Sequence, residues 1–315
     1  MLSTSIGFCA RCANLEWLRF VMASSRMMIM TAWSDSLISS RLIWIRSDRY
    51  WHQLATHLQC LQNLLRGACR RDSRGVLIMC WSASVSVAMV AVGGVAVAVT
   101  AIRGEPKAIW ITLAFFTLME GLQAAGYAVV DECSNPANIS ITTLSYLHIA
   151  IQPLFINAFA MAIAPAAVPD WQRRSVYGLA AIATGFMLLK LVPLEAFGSC
   201  TPGSPMCALQ TCLISGDWHI GWTLPLNGLM EWGGSYLPIN FYFPAYFIAV
   251  FALPLWYGAW RFALFHLLMG PFMAFMLTTN LNEQPAIWCL FSIGIIVISL
   301  SSFIRVRVMG AHQPA

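Results

Sequence analysis

The sequence contains very little charge. Only 10% of its 315 residues are Asp, Glu, Lys or Arg, whereas 59% carry hydrophobic side chains, and the mean hydropathy is +0.69. Because soluble domains carry about 25% charged residues, this composition excludes an ordinary water-soluble enzyme and a disordered chain as the whole molecule. Long apolar runs between residues 79 and 303 instead predict a membrane protein.

Several chemical signatures are absent as well. The sequence has no Walker loop, no G-x-G-x-x-G that opens a helix and no G-x-S-x-G, so phosphate binding, dinucleotide binding and nucleophile-elbow hydrolysis lack support. The last apolar run has no Lys, which excludes a retinal protein that forms its Schiff base there. Neither H-x-x-x-H nor H-E-x-x-H occurs, which makes the metal signature weak.

The basic residues are concentrated near the N-terminus. Residues 1–78 hold ten Arg and four acids, whereas residues 79–315 hold eight Lys or Arg and nine acids. The net charge of +5 therefore does not describe the apolar part, and we expect no nucleic-acid partner. We expect residues 1–78 to be an upstream extension foreign to the native chain or a disordered segment. Their Arg-rich and Ser-rich composition also fits a mitochondrial transit peptide.

Seven apolar segments of about 20 residues are long enough to cross a bilayer. Basic residues follow the first, third, fifth and seventh segments, and the loops between the others contain none. Since cytoplasmic loops carry the Lys and Arg, we predict an all-α integral membrane bundle of seven transmembrane helices, with the N-terminus outside and the C-terminus cytoplasmic. The predicted spans are 79–102, 108–130, 141–163, 175–197, 241–260, 262–281 and 285–303.

The same pattern predicts the domain organisation. We expect a seven-helix membrane domain over residues 79–307, which includes an outer lid loop over 198–240, and a short cytoplasmic tail over 308–315. Four Arg between residues 66 and 74 conflict with an outer N-terminus, and a native start at Met79 would remove that conflict. The expected location is the cytoplasmic membrane, with the lipid bilayer as partner.

Cysteines in the predicted outer loops are candidates for disulfides, because those loops face an oxidising compartment. Spacing does not determine which cysteines pair, and free thiols are the alternative. The four candidates are Cys133, Cys200, Cys207 and Cys212.

Polar side chains inside apolar spans are expensive to bury and mark functional sites by default. Four of them, Glu120, His148, Gln152 and Lys190, are predicted at a similar depth in the outer half of the bundle. Gln123 and Tyr127 share the helix face of Glu120, and together the six would form a pocket for a small ligand. A purely structural role, with a Glu120–Lys190 ion pair and interhelical hydrogen bonds, is the alternative. The six candidates are Glu120, Gln123, Tyr127, His148, Gln152 and Lys190.

Two functions fit these residues. The first is a protein that binds, senses or transports a small ligand through the outer pocket. The second is a metal-dependent intramembrane hydrolase, in which Glu120 or Asp217 activates a zinc-bound water. Zinc is expected as a cofactor under this alternative alone, with the ligands His148, His219 and His266.

Short motifs resemble an uncharacterised family of seven-helix multi-pass membrane proteins. The resemblance covers about residues 79–303 and includes a start at Met79. It implies a membrane fold and no particular activity. The motifs are Met79-Cys80-Trp81-Ser82-Ala83, Glu120-Gly121-Leu122-Gln123 with Tyr127, Tyr146-Leu147-His148 with Gln152-Pro153, and Asn282-Glu283 with Pro285-Ala286-Ile287-Trp288-Cys289.

Overall fold

A computed structural model describes residues 82–229, 231, 242–289 and 291–309. These residues all belong to one unit, Trp81–Ala315. The predictions for residues 1–78, for a start at Met79 and for most of the tail over 308–315 lie outside the described residues.

The first half of the unit consists of four helices that pack consecutively, each on the next. A turn with Gly104 at φ +70° separates the first two, a backbone conformation in which Gly has no steric cost. Asn135 caps the third helix by accepting the Ala137 N–H at 2.9 Å, and Pro136 occupies its first position. The helices are α1 (Ala83–Ile102), α2 (Lys107–Gly126), α3 (Pro136–Ala162) and α4 (Asp170–Leu189).

Two further helices follow, α5 (Pro244–Trp256) and α6 (Trp260–Leu277). Each contains one π-helical stretch, Ile248–Ala252 and Leu268–Phe272. Pro271 lies inside the second stretch and Pro254 just after the first. Because proline has no N–H to donate to the preceding turn, a local π-turn accommodates the missing hydrogen bond and widens the helix.

The last predicted span, over residues 285–303, corresponds to short helices. They are α7 (Gln284–Trp288), α8 (Phe291–Leu300) and α9 (Ser302–Met309). A small antiparallel hairpin precedes α5, formed by β1 (Cys212–Ser215) and β2 (Ile220–Thr223) with Leu213 opposite Trp222. The all-α prediction missed this hairpin, because four-residue strands within a long loop leave little periodicity.

Four helices in the described part of the chain, α1, α2, α3 and α6, are long and apolar enough to cross a membrane. The fold is therefore mostly helical, with apolar helices of membrane-spanning length. The remaining predicted spans correspond to shorter or more polar elements. α4 begins at Asp170, five residues before the predicted span, and includes Arg173 and Arg174.

The end of the bundle opposite the hairpin is held by the basic residues of the predicted cytoplasmic side. Arg305 forms a bidentate ion pair with Glu105, with N–O distances of 2.8 and 2.9 Å. The Arg103 guanidinium donates to the Leu300 carbonyl at 3.2 Å. These contacts join the α1–α2 turn to α8 and α9.

Candidate functional site

A cavity of about 100 Å³ lies within the bundle, and every helix from α2 to α8 contributes to its wall. Aromatic rings make up much of the lining, and Ile149, Ile156 and Met187 add aliphatic surface. None of the lining residues that the structure describes is Asp, Glu, Lys or Arg. The aromatic residues are Phe116, Phe243, Tyr246, Phe247, Trp288 and Phe291.

Two polar pairs interrupt the apolar wall. The Tyr246 hydroxyl donates to the Gln152 side-chain oxygen, and the Trp288 indole N–H donates to Nε2 of His266 at 2.9 Å. Accepting that bond assigns the imidazole proton to Nδ1. Trp288 reaches its position because Gly270 faces it, where a Cβ would lie 2.3 Å from the indole nitrogen. These pairs fix the orientation of the polar groups that a ligand would meet.

Residues 198–229, which we call the cap, cover the end of the bundle at which the α2–α3 connection lies. The Cys200–Cys207 disulfide closes a short ring that carries Pro205 and Met206 to the cavity wall. The Met206 N–H donates to Oδ1 of Asn282 at 2.8 Å. The cavity is therefore bounded on its outer side by a covalently closed loop that is also hydrogen-bonded to the α6–α7 connection.

The second disulfide, Cys133–Cys212, joins the α2–α3 connection to β1. Next to it, the fully buried Asn138 donates to the Val129 and Leu213 carbonyls at 2.7 and 2.9 Å and accepts the Leu213 N–H at 2.8 Å. The hairpin is thus attached to the start of α3 by a covalent bond and by an amide with both of its polar atoms bonded.

Glu283 holds the tip of the hairpin. Its fully buried carboxylate accepts the backbone N–H groups of Asp217, Trp218 and His219 and the Thr278 hydroxyl. Burial raises the pKa of Glu283 above its ordinary value, and these hydrogen bonds oppose the rise. Glu283 belongs to one of the sequence motifs, but the motif did not predict that this residue anchors the cap.

His219 belongs to the cap and has a neutral, buried ring. Its Nδ1 accepts the Ile220 N–H at 2.7 Å and lies 3.2 Å from the Tyr127 hydroxyl. Burial lowers the pKa of His219 to about 3, because the charged imidazolium would lose its hydration. The ring therefore serves the cap as a hydrogen-bond acceptor.

Lys190 does not pair with Glu120, which corrects the structural alternative drawn from the sequence. Its ammonium lies 3.2 Å from Glu231 and donates to the Leu229 carbonyl at 3.0 Å. Glu231 also accepts the Thr201 N–H at 2.8 Å. Lys190 follows the last residue of α4, so it ties that helix to the cap, whereas Glu120 lies within α2.

Glu120 and Gln123 lie on one face of α2, as their spacing predicted, and both are buried. The Ser292 hydroxyl donates to Oε1 of Glu120 at 3.2 Å. Oε2 of Glu120 and both amide atoms of Gln123 have no hydrogen-bond partner among the described residues. This polar cluster is next to the cavity but does not line it.

The structure separates the six predicted ligand-binding residues. Gln152 lines the cavity, whereas Glu120 and Gln123 form the neighbouring cluster. Tyr127 contacts His219, Lys190 holds the cap, and His148 Nε2 donates to the Phe115 carbonyl at 2.7 Å, which ties α3 to α2. The lining residues that were not among the six predicted ligand-binding residues include Tyr246, Trp288 and Cys289.

The zinc alternative has no ligand set in the part of the chain that the structure describes. That part contains no group of three or more His, Cys, Asp or Glu side chains arranged to hold a metal ion. His148, His219 and His266 each use a ring nitrogen in a separate contact with a different element.

A model described as a family of unknown function, DUF5765, matches residues 84–309. The chain belongs to this family. No curated protein and no solved structure matches the chain. The expected membership of an uncharacterised family is confirmed at this level. The DUF5765 match extends from α1 to α9, so it includes the cavity lining, the cap and both disulfides.

Proposed function

We propose that this member of the DUF5765 family is a multi-pass membrane protein that binds a small, largely apolar ligand in the cavity beneath the cap. The observation that supports the proposal is the cavity itself, an aromatic-lined space with a few polar groups fixed in orientation. Sites of this composition are the usual form of small-molecule sites. Binding is the step that sensing and transport share.

The size of the cavity limits the ligand. Drug-sized molecules occupy about 300–1,000 Å³, whereas apolar cavities of about 150 Å³ take up molecules such as benzene. A cavity of about 100 Å³ therefore suits a ligand of a few heavy atoms. Aromatic walls and the thioethers of Met187 and Met206 favour an apolar body.

The proposed orientation places the cap outside the cell. Seven crossings of the membrane, with the C-terminus cytoplasmic, put every Lys and Arg after residue 78 except Lys190 on one side. Both disulfides then lie on the other side, where an oxidising environment maintains them. The charge pattern and the disulfide positions support this arrangement independently of each other.

A ligand-binding measurement with toluene as the probe tests the proposal. We expect toluene to raise the thermal stability of the purified protein, since a ligand that binds only the folded state stabilises it by mass action. Ile156→Phe would fill the cavity wall and abolish the shift. Ile111→Phe, the same change at an exposed position of α2, is the matched control and should retain it. A shift of equal size in the Ile156→Phe variant would refute the cavity as the binding site.

A further inference from the structure

Glu120 is a buried carboxyl group without a cation. It is 2% exposed, and the helices packed against α2 are α1, α3 and α8. None of these three helices contains Lys or Arg, and Lys107 lies at the far end of α2. Tyr127 at the end of α2 and the Cys289 thiol interact electrostatically with Glu120, and α3 carries the titratable groups Tyr146 and His148.

An ionised carboxylate in such a place is unfavourable by several kcal/mol, so the group must hold a proton or a cation. The void beside Glu120, which Met89, Leu113 and Ile296 help to line, has no space for even one water molecule. A metal ion or hydrated ion does not fit there, whereas a proton needs no additional volume. With Oε2 unpartnered among the described residues, the carboxyl is best described as a neutral acid.

The cavity and the void beside Glu120 share part of their lining. Phe116, one turn before Glu120, lines both the cavity and the void. Cys289 lines the cavity and interacts electrostatically with Glu120. A charge that enters the cavity would therefore act on Glu120 across a single layer of side chains, in a region of low dielectric constant.

The cavity wall suits a positive charge better than a negative one. Six aromatic rings line it, and the faces of such rings attract cations, as the Lys190 ammonium 5.2 Å from the centroid of the Phe243 ring illustrates. None of the lining residues that the structure describes is basic or acidic, so a cation bound there would need a counter-charge from beyond these residues. Ionised Glu120 is the acid placed to supply that charge.

We propose that the cavity takes up a small organic cation and that Glu120 releases its proton when the cation binds. The O–H bond of the carboxyl breaks, its electron pair stays on the carboxylate, and the proton passes to water on the outer side. Net charge within the bundle is unchanged, because one positive charge replaces another. The face of α2 leads outward from Glu120 through Gln123 to Tyr127, whose hydroxyl contacts His219 in the cap. This proposal rests on the proposed function and names its ligand class.

The test uses tetramethylammonium and tert-butyl alcohol, a cation and a neutral molecule of similar shape. Infrared spectroscopy of the purified protein reports the carbonyl stretch of protonated carboxyl groups, and a pH-indicator dye in weak buffer reports released protons. We expect tetramethylammonium to remove one carboxyl signal and release about one proton for each cation bound. Its affinity should rise about tenfold per pH unit while Glu120 is protonated.

Two variants assign the signal. Glu120→Gln, a neutral mimic of the acid, should lack the signal, release no proton and bind tetramethylammonium at least tenfold more weakly. Glu132→Gln, at an exposed position, should behave as the unaltered protein. Cation binding without proton release, or an unchanged carboxyl signal in Glu120→Gln, would overturn the inference. If the alcohol binds and the cation does not, the inference fails while the proposed function stands; if neither binds and toluene also fails, both fail.

Discussion

At the scale of single residues, Glu283 places its carboxylate where three backbone N–H groups and one hydroxyl converge. Gly216 makes this approach possible, since a Cβ there would lie 2.6 Å from the carboxyl carbon. A buried acceptor with this many donors contributes to stability chiefly because its removal leaves the donors unsatisfied.

We therefore expect Glu283→Gln to lower the free energy of unfolding by about 2 kcal/mol and Glu283→Ala by more. Glutamine keeps one acceptor oxygen but turns an amide N–H₂ toward groups that are themselves donors. Denaturant unfolding in detergent provides the measurement, with Glu132→Gln as an exposed control. Equal stability of the Glu283→Ala variant and the unaltered protein would show that the hairpin tip is not held by this side chain.

His219 predicts how stability depends on pH. Its pKa is about 3 in the folded protein, compared with 6.5 for an ordinary His, so folding favours the neutral ring. This contribution is fully present above pH 6.5 and is lost as the pH falls toward 3, by about 2 kcal/mol at pH 5. Unfolding measured between pH 7 and pH 5 should show a smaller loss in His219→Asn, whose side-chain oxygen also accepts the Ile220 N–H. Parallel pH profiles would contradict this role.

Some residues of the candidate site could be predicted from the sequence and others could not. Because polar side chains are unfavourable in apolar spans, the sequence singled out Glu120, Gln123 and Gln152, which the structure buries. The four candidate cysteines are the ones that the structure pairs. The partner of Lys190 was not accessible, because Glu231 is 41 positions away in an irregular segment. Spacing within a helix identifies residues on one face, but it does not predict contacts with a loop.

At the scale of elements, the pair Lys190–Glu231 links the end of α4 to the cap. Breaking a buried pair leaves an uncompensated charge, so Lys190→Met should lower the free energy of unfolding by about 3 kcal/mol. Adding Glu231→Gln should restore part of that loss. A double-mutant cycle measures the coupling. The matched cycle of Lys190→Met with Glu120→Gln should be additive, and a strong coupling there would contradict the pairing.

The two disulfides should contribute unequally. Cys133–Cys212 closes a separation of 79 residues and Cys200–Cys207 a separation of 7. Loop-closure entropy then gives about 4.5 kcal/mol for the first and about 2.4 kcal/mol for the second. Replacing each pair by Ser and comparing the free energies of unfolding is the measurement. A larger loss on removal of the short ring would mean that loop-closure entropy does not govern this cap.

Helix boundaries illustrate what composition leaves open. Runs of apolar residues predicted the helical segments, but prolines changed the geometry within them, as the π-turns near Pro254 and Pro271 show. Pro153 lies inside α3 without ending it, and Asn157 donates to the Pro153 and Ala249 carbonyls, which ties α3 to α5. Such compensation depends on neighbouring helices and cannot be inferred from one segment.

At the scale of the whole molecule, the protein combines an apolar helical bundle with a cap fixed by covalent bonds and by buried polar anchors. The cap is attached at separate places: to α3 by Asn138, to α4 by Lys190 and to the α6–α7 connection by Glu283. An arrangement attached at so many points favours a stable cover over the cavity.

The position of the cap outside the cell is the central claim, and cysteine labelling tests it most directly. Leu209 is 97% exposed in the cap, and Ala167 is exposed in the α3–α4 connection. A membrane-impermeant maleimide applied to intact cells should label Leu209→Cys above the level of the unsubstituted chain. Ala167→Cys should be labelled only after the cells are permeabilised. Labelling of Ala167→Cys but not of Leu209→Cys in intact cells would contradict the account.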